Sequence, residues 1–93
     1  MQPLWFNFGD LGYPGWTPVT QFECGLLLAG AERMIDHNGP ELCHDLVQRT
    51  RHELLQQAVQ GQVEDHWVSQ AVLITALTGL LGYEIPEIKT WEL

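Results

Sequence analysis

Apolar and polar positions divide this chain into three helical stretches between two ends of different character. From Thr17-Pro18 to about His37, apolar residues recur at three- and four-residue intervals. Cys24, Leu27, Leu28, Ala31, Met34 and Ile35 fall on one arc at 100° per residue, and Phe22 and Leu26 extend it. Thr17 is a suitable cap and Pro18 suits the first helical position, so a helix over 18–37 is expected. Asn38-Gly39-Pro40 stops it, because Asn and Gly tolerate the left-handed C-terminal turn and Pro cannot continue a helix.

Pro40 also begins the second helix, expected over 40–60 and ended by Gly61. Cys43, Leu46, Val47, Thr50, Leu54 and Ala58 share one face, and Asp45, Gln48, Arg49, His52 and Gln56 share the other. The third helix is expected over 65–81 with Asp65 as its cap, and Gly82 ends it. Its apolar residues, from Trp67 through Leu81, surround the whole helical wheel. A helix without a polar face belongs in the centre, covered by the other two helices and a tail or by a second subunit.

The ends do not follow a helical period. Residues 1–17 are rich in aromatics, Gly and Pro, with turn chemistry at Asp10, Gly12 and Pro14-Gly15 and a short strand expected at Leu4 to Phe8. In the tail, Ile88, Thr90 and Glu92 alternate with Lys89, Trp91 and Leu93. This predicts a short strand, which Pro86 confines to a sheet edge. The fold class is therefore mainly α, a small three-helix bundle with extended aromatic-rich ends whose main variant pairs them as two β-strands. The 93 residues form one domain, 1–93, with no repeat or linker.

Charge narrows the function. Twelve Asp and Glu against four Lys and Arg leave a net charge of -8. Phosphate contacts need clustered cations, so direct binding of nucleic acid or an anionic membrane is not expected. Two cysteines, Cys24 and Cys43, outside any C-x-x-C pair predict an intracellular, cytoplasmic protein with two free thiols, a single Cys24–Cys43 bridge being the alternative. Met1 to Trp5 has no basic or apolar segment of a signal peptide, and the uncharged run Trp67–Tyr83 is too short for a membrane span.

Candidate chemistry is sparse. His44 and His52 lie about 12 Å apart along one helix, and none of the four histidines pairs at i, i+3 or i, i+4, so no metal site and no cofactor are expected. Cys43 lies on an apolar face with His44 about 100° away, which does not make a nucleophile–base pair. Gly9-Asp10-Leu11-Gly12 lacks the strand and the Lys of a phosphate loop. Glu32 and Asp36, an i, i+4 carboxylate pair, have nothing beside them to make a site. An enzyme is not expected.

Four tryptophans carry more information. Trp16 and Trp67 flank helix starts and are expected to wall the core from outside. Trp5 and Trp91 lie in the ends, where rigid aromatics serve a partner interface equally well. With Glu84, Glu87 and Glu92 they make up the expected partner-binding set. The favoured reading is a non-enzymatic protein-binding module, most concretely an inhibitor that mimics nucleic acid and covers a basic nucleic-acid-binding surface of a partner protein. Short, acidic, helical proteins without catalytic motifs are common among phage-encoded inhibitors of host defence, anti-CRISPR proteins included, which is a likeness of class and not of residues. The alternative is an accessory subunit that completes a homodimer or other oligomer through its apolar third helix.

Overall fold

The computed structural model describes residues 1–90. Three strands and three helices follow in the order β1 (Leu4–Asn7), β2 (Trp16–Val19), α1 (Gln21–Asn38), α2 (Pro40–Val59), α3 (Asp65–Leu80) and β3 (Ile88–Lys89). The strands form one antiparallel sheet in the order β2-β1-β3. The ends of the described chain therefore pair as expected, and β2 widens the pairing to three strands.

That third strand corrects the expected start of the first helix. Thr17-Pro18 does not open α1; it pairs with Phe6 and Trp5 of β1. The run Thr17-Pro18-Val19-Thr20 is β-branched around its proline, and Pro is tolerated because β2 is an edge strand. Thr20, in extended conformation, caps the helix instead, its Oγ1 accepting from the Glu23 N–H at 3.1 Å. The stop at Gly39 is as expected: its φ is 82°, its N–H reaches the Ile35 carbonyl, and Pro40 starts α2. At α3 the capping residue is Glu64, with Asp65 the first helical residue.

Residues two apart on a strand share a face, so Leu4 and Phe6 turn inward together with Val19 and Ile88. Phe8 continues the inward row and stacks on Phe6 with centroids 5.5 Å apart. Trp67, expected at the rim, is fully buried in the centre. Its ring meets Phe8 edge-on at 5.7 Å and Tyr13 at 5.6 Å. Its indole N–H donates to the Leu54 carbonyl at 2.9 Å, which removes the obstacle to burying tryptophan completely.

α3 is central, as its apolar circumference requires. Trp67, Ala71, Val72, Ile74 and Leu77 are buried, and Thr75 and Thr78 satisfy their hydroxyls on the Ala71 and Ile74 carbonyls one turn back. α1, α2 and the sheet cover it within a single chain. On α2, Cys43, Val47 and Leu54 are buried on the expected face. A 3-10 turn at Gly9–Leu11 sets Leu11 in the core and ends at Gly12, whose φ is 80° and whose Cα faces Leu55 and Ala58 of α2.

On α1, Phe22 and Leu26 do not extend the buried arc. They point away from the core, 76% and 57% exposed. Among the described residues, no helix is long and apolar enough to cross a membrane.

Candidate functional site

Three surface features stand out, and all of them involve the sheet or the seam it makes with α1 and α3.

The first is the outer face of the sheet. Since Phe6 turns inward, its neighbour Trp5 turns outward, along with Trp16, Pro18 and Lys89. Trp5 and Trp16 are half-buried. The Lys89 ammonium lies 4.8 Å from the centre of the Trp16 ring and 3.5 Å from the Glu87 carboxylate. Trp16, expected only as a wall of the core, is thus part of a solvent-facing aromatic surface.

The second is an apolar groove of about 300 Å³ under the β3 edge. Phe6 of the sheet and Val72 and Ala76 of α3 line it, with Cys24 and Leu28 of α1 and with Leu80, Ile85 and Ile88. Leu28, Leu80 and Ile85 are each about 40% exposed, so three large apolar side chains meet solvent where the groove opens. The tail is laid across the end of α3 by defined contacts. The Gly82 N–H reaches the Gly79 carbonyl, the Tyr83 N–H reaches the Thr78 carbonyl, and the Tyr83 hydroxyl lies 3.1 Å from His44 Nδ1. The Glu87 carbonyl then accepts from the Asn7 N–H, which brings the tail onto β1.

The third is a polar cleft of about 480 Å³ on the opposite, β2 side. Glu23, Asp65, Ser69 and Thr17 line it, with Pro18 and Val68 as apolar walls. Ser69 donates to Glu23 Oε1 at 2.7 Å, joining α3 to α1.

Of the residues expected to bind a partner, Trp5 sits on the outer face of the central strand, paired in register with Lys89. Glu84 and Glu87 are exposed on either side of Ile85 and Pro86; Glu84 directly precedes Ile85 of the groove wall, whereas the Glu87 carboxylate meets Lys89, whose ammonium lies over Trp16 on the outer face of the sheet. The structure thus brings Trp5 beside β3, which Glu87 immediately precedes, and sets Glu84 next to Ile85 of the groove wall. Trp91 and Glu92 lie outside the described residues. Sequence reasoning missed the groove and the cleft. Leu28 belonged to the α1 arc and is 42% exposed at the groove mouth instead, and nothing in the periodicity says that Ile85 lines the same groove.

Among the described residues, only Glu64 and Glu87 stand within ion-pair distance of a basic group, His66 and Lys89 respectively. The remaining described carboxylates lie more than 4.0 Å from any described basic group. No group of three or more His, Cys, Asp or Glu among the described residues is placed to hold a metal ion. Both cysteines are free thiols. Cys43 is buried, and Cys24 has its pKa raised, first by burial and then by the adjacent Glu23 carboxylate. The Cys24 thiol is thus held protonated, the opposite of an activated nucleophile.

Comparison with protein-family models, with curated proteins and with solved structures finds no match to this chain.

Proposed function

We propose that this chain is a non-enzymatic protein-binding module that grips a basic partner through the groove and its acidic tail wall. The observation that carries this reading is the groove: an apolar recess walled by Ile85, with the exposed Glu84 next to it in the chain and Glu87 further along the same tail, where few of the described carboxylates have a described basic group within ion-pair distance. One apolar side chain buried in such a recess contributes about 1.5–3 kcal/mol, and the neighbouring carboxylates favour partners rich in Lys and Arg. A nucleic-acid-binding protein is the class of partner this chemistry suits best, and inhibition by covering its basic surface is the proposed consequence. The inhibitor role, like a phage or anti-CRISPR origin, rests on the acidic, motif-free character of the chain alone.

The test is capture of partners on the immobilised chain at about 0.1 M and about 1 M salt, where the Debye length is ~10 Å and ~3 Å. The expected result is capture of basic proteins at low salt, lost at high salt and lost with Leu28→Asp or with Glu84→Lys and Glu87→Lys together. Capture indifferent to salt and to all three substitutions would overturn the proposal.

A second reading, an accessory subunit of an oligomer, has one specific observation in its favour. α3, the surface that the sequence offered for it, is covered inside the chain. Phe22 and Leu26 on the outward side of α1 are not. Sedimentation equilibrium at micromolar concentration separates the readings. An apolar homodimer of two -8 chains strengthens with salt, whereas a sole 10.6 kDa species at either salt concentration excludes it.

A further inference from the structure

We infer that the polar cleft between β2 and the first turns of α1 and α3 is a socket for one arginine side chain of a basic partner. The inference rests on the reading of the chain as a binder of basic partners, but it concerns a separate site: groove variants test that reading, and cleft variants test this one.

Two carboxylates face the cleft, Glu23 and Asp65, and neither lies within 4.0 Å of a basic group among the described residues. Glu23 is held in place: Thr20 caps its main-chain N–H, and Ser69 donates to Oε1, so its second oxygen remains to accept. Thr17 adds an independent sign of a missing ligand. Only 8% exposed and set in the cleft wall, its hydroxyl has no hydrogen-bond partner among the described residues. A buried polar group without a partner is uncommon and costly in a folded protein. A donor entering from the cleft is what both the hydroxyl and the carboxylates lack.

The composition of the socket selects the occupant. Pro18 and Val68 offer apolar walls for a hydrocarbon stem, while the oxygens face its charged head. A planar guanidinium has five N–H donors spread over a fork, enough to serve carboxylate and hydroxyl together, whereas an ammonium is a more strongly hydrated point charge. A divalent metal suits the cleft less well. Only two carboxylates are present, and both sit in the first turns of helices, where the helix dipoles already offset part of their charge. The chain's own lysine, Lys89, reaches from β3 across the outer face of the sheet and is engaged with Trp16 and Glu87, more than 4.0 Å from either cleft carboxylate.

Two-dimensional amide NMR of the full chain, titrated with N-acetyl-arginine amide, tests the socket. The expected result is saturable movement of the Thr17, Glu23, Asp65 and Ser69 signals with a dissociation constant in the millimolar range. Glu23→Gln should weaken it about threefold to fivefold, as should Asp65→Asn. Glu23→Gln keeps an oxygen for Ser69, so an unchanged spectrum elsewhere shows the fold intact. The matching citrulline compound, equal in shape but neutral, should leave these signals still. Any of three results overturns the socket: no saturation with the arginine compound, equal shifts with citrulline, or binding undiminished in both variants. Movement of the same signals by calcium chloride alone, with none from arginine, assigns the cleft to a metal ion and equally overturns it. Saturable arginine binding at the cleft with partner capture indifferent to the groove variants overturns the groove reading alone, and groove-dependent capture with no arginine binding at the cleft overturns the socket alone.

Discussion

The indole N–H of Trp67 and the main-chain carbonyl of Leu54 meet at 2.9 Å in the fully buried centre of the protein, linking the start of α3 to the C-terminal half of α2. The hydrogen bond fixes the ring while Phe8 and Tyr13 pack around it. Trp67→Phe keeps most of the apolar contact but removes the donor and leaves a void. It should destabilise by about 1–3 kcal/mol, read as a lower urea midpoint at an unchanged slope. Trp67→Ala should cost about 3–5 kcal/mol.

Gly12→Ala is expected to cost about 1–3 kcal/mol by the same measurement. The φ of 80° is unfavourable for any residue with a Cβ, and the added methyl would stand 3.0 Å from Leu55 Cδ1. Gly15→Ala shares the positive φ but meets open space, so it reports the backbone strain without the contact.

Raising the pH should weaken the fold through Cys24. Its folded-state pKa is raised, chiefly by burial and secondarily by Glu23. The folded form therefore holds its thiol proton more tightly than the unfolded chain. The corresponding stability is fully present below the ordinary thiol pKa and is lost as pH rises from there through the raised value. Urea midpoints of the native chain should fall across that alkaline window, and Cys24→Ser should flatten the dependence.

Phe22→Gln and Leu26→Gln should each change stability by no more than about 0.5 kcal/mol, because both side chains point into solvent. Leu27, one position along, packs on the core and should cost several times more when shortened to Ala. Equal losses at all three positions would mean that a second chain covers the outward face of α1.

Glu84→Lys combined with Glu87→Lys should weaken partner binding by about 1–3 kcal/mol, with Asp45→Lys on α2 having much less effect. Circular dichroism should show the helices unchanged, since both glutamates are exposed. Unaltered affinity after the double reversal, with binding abolished by changes at Arg49 or Arg51, would move the interface to α2.

The helices were legible because their signals are local: the Gly39-Pro40 boundary and the apolar face of α2 require only spacing and turn chemistry. At the start of α1 two such signals competed. Thr17-Pro18 resembles a helix start, yet Thr20 with Glu23 three residues later is the better one, and strand pairing with β1 decides between them. Trp67 was misplaced because its size argued for the rim, while the partner that permits burial, the Leu54 carbonyl, lies thirteen residues away. The groove and the cleft were not legible at all. Each depends on juxtapositions such as Ile85 beside Gly79 or Ser69 beside Glu23, which no periodic pattern encodes.

The sheet has a kinetic consequence. β3 contributes only two residues, and it pairs with β1 from the far end of the described chain. Consecutive helices are joined by short connections, and even α1 and α3 meet across only the length of α2, whereas this pairing closes almost the longest loop available, so it is expected late in folding. Ile85 and Ile88 reach the groove only when the tail has settled. The recess that would receive a partner is thus completed last and opened first, and a partner seated on it acts as a clasp on the element with least of its own to hold it.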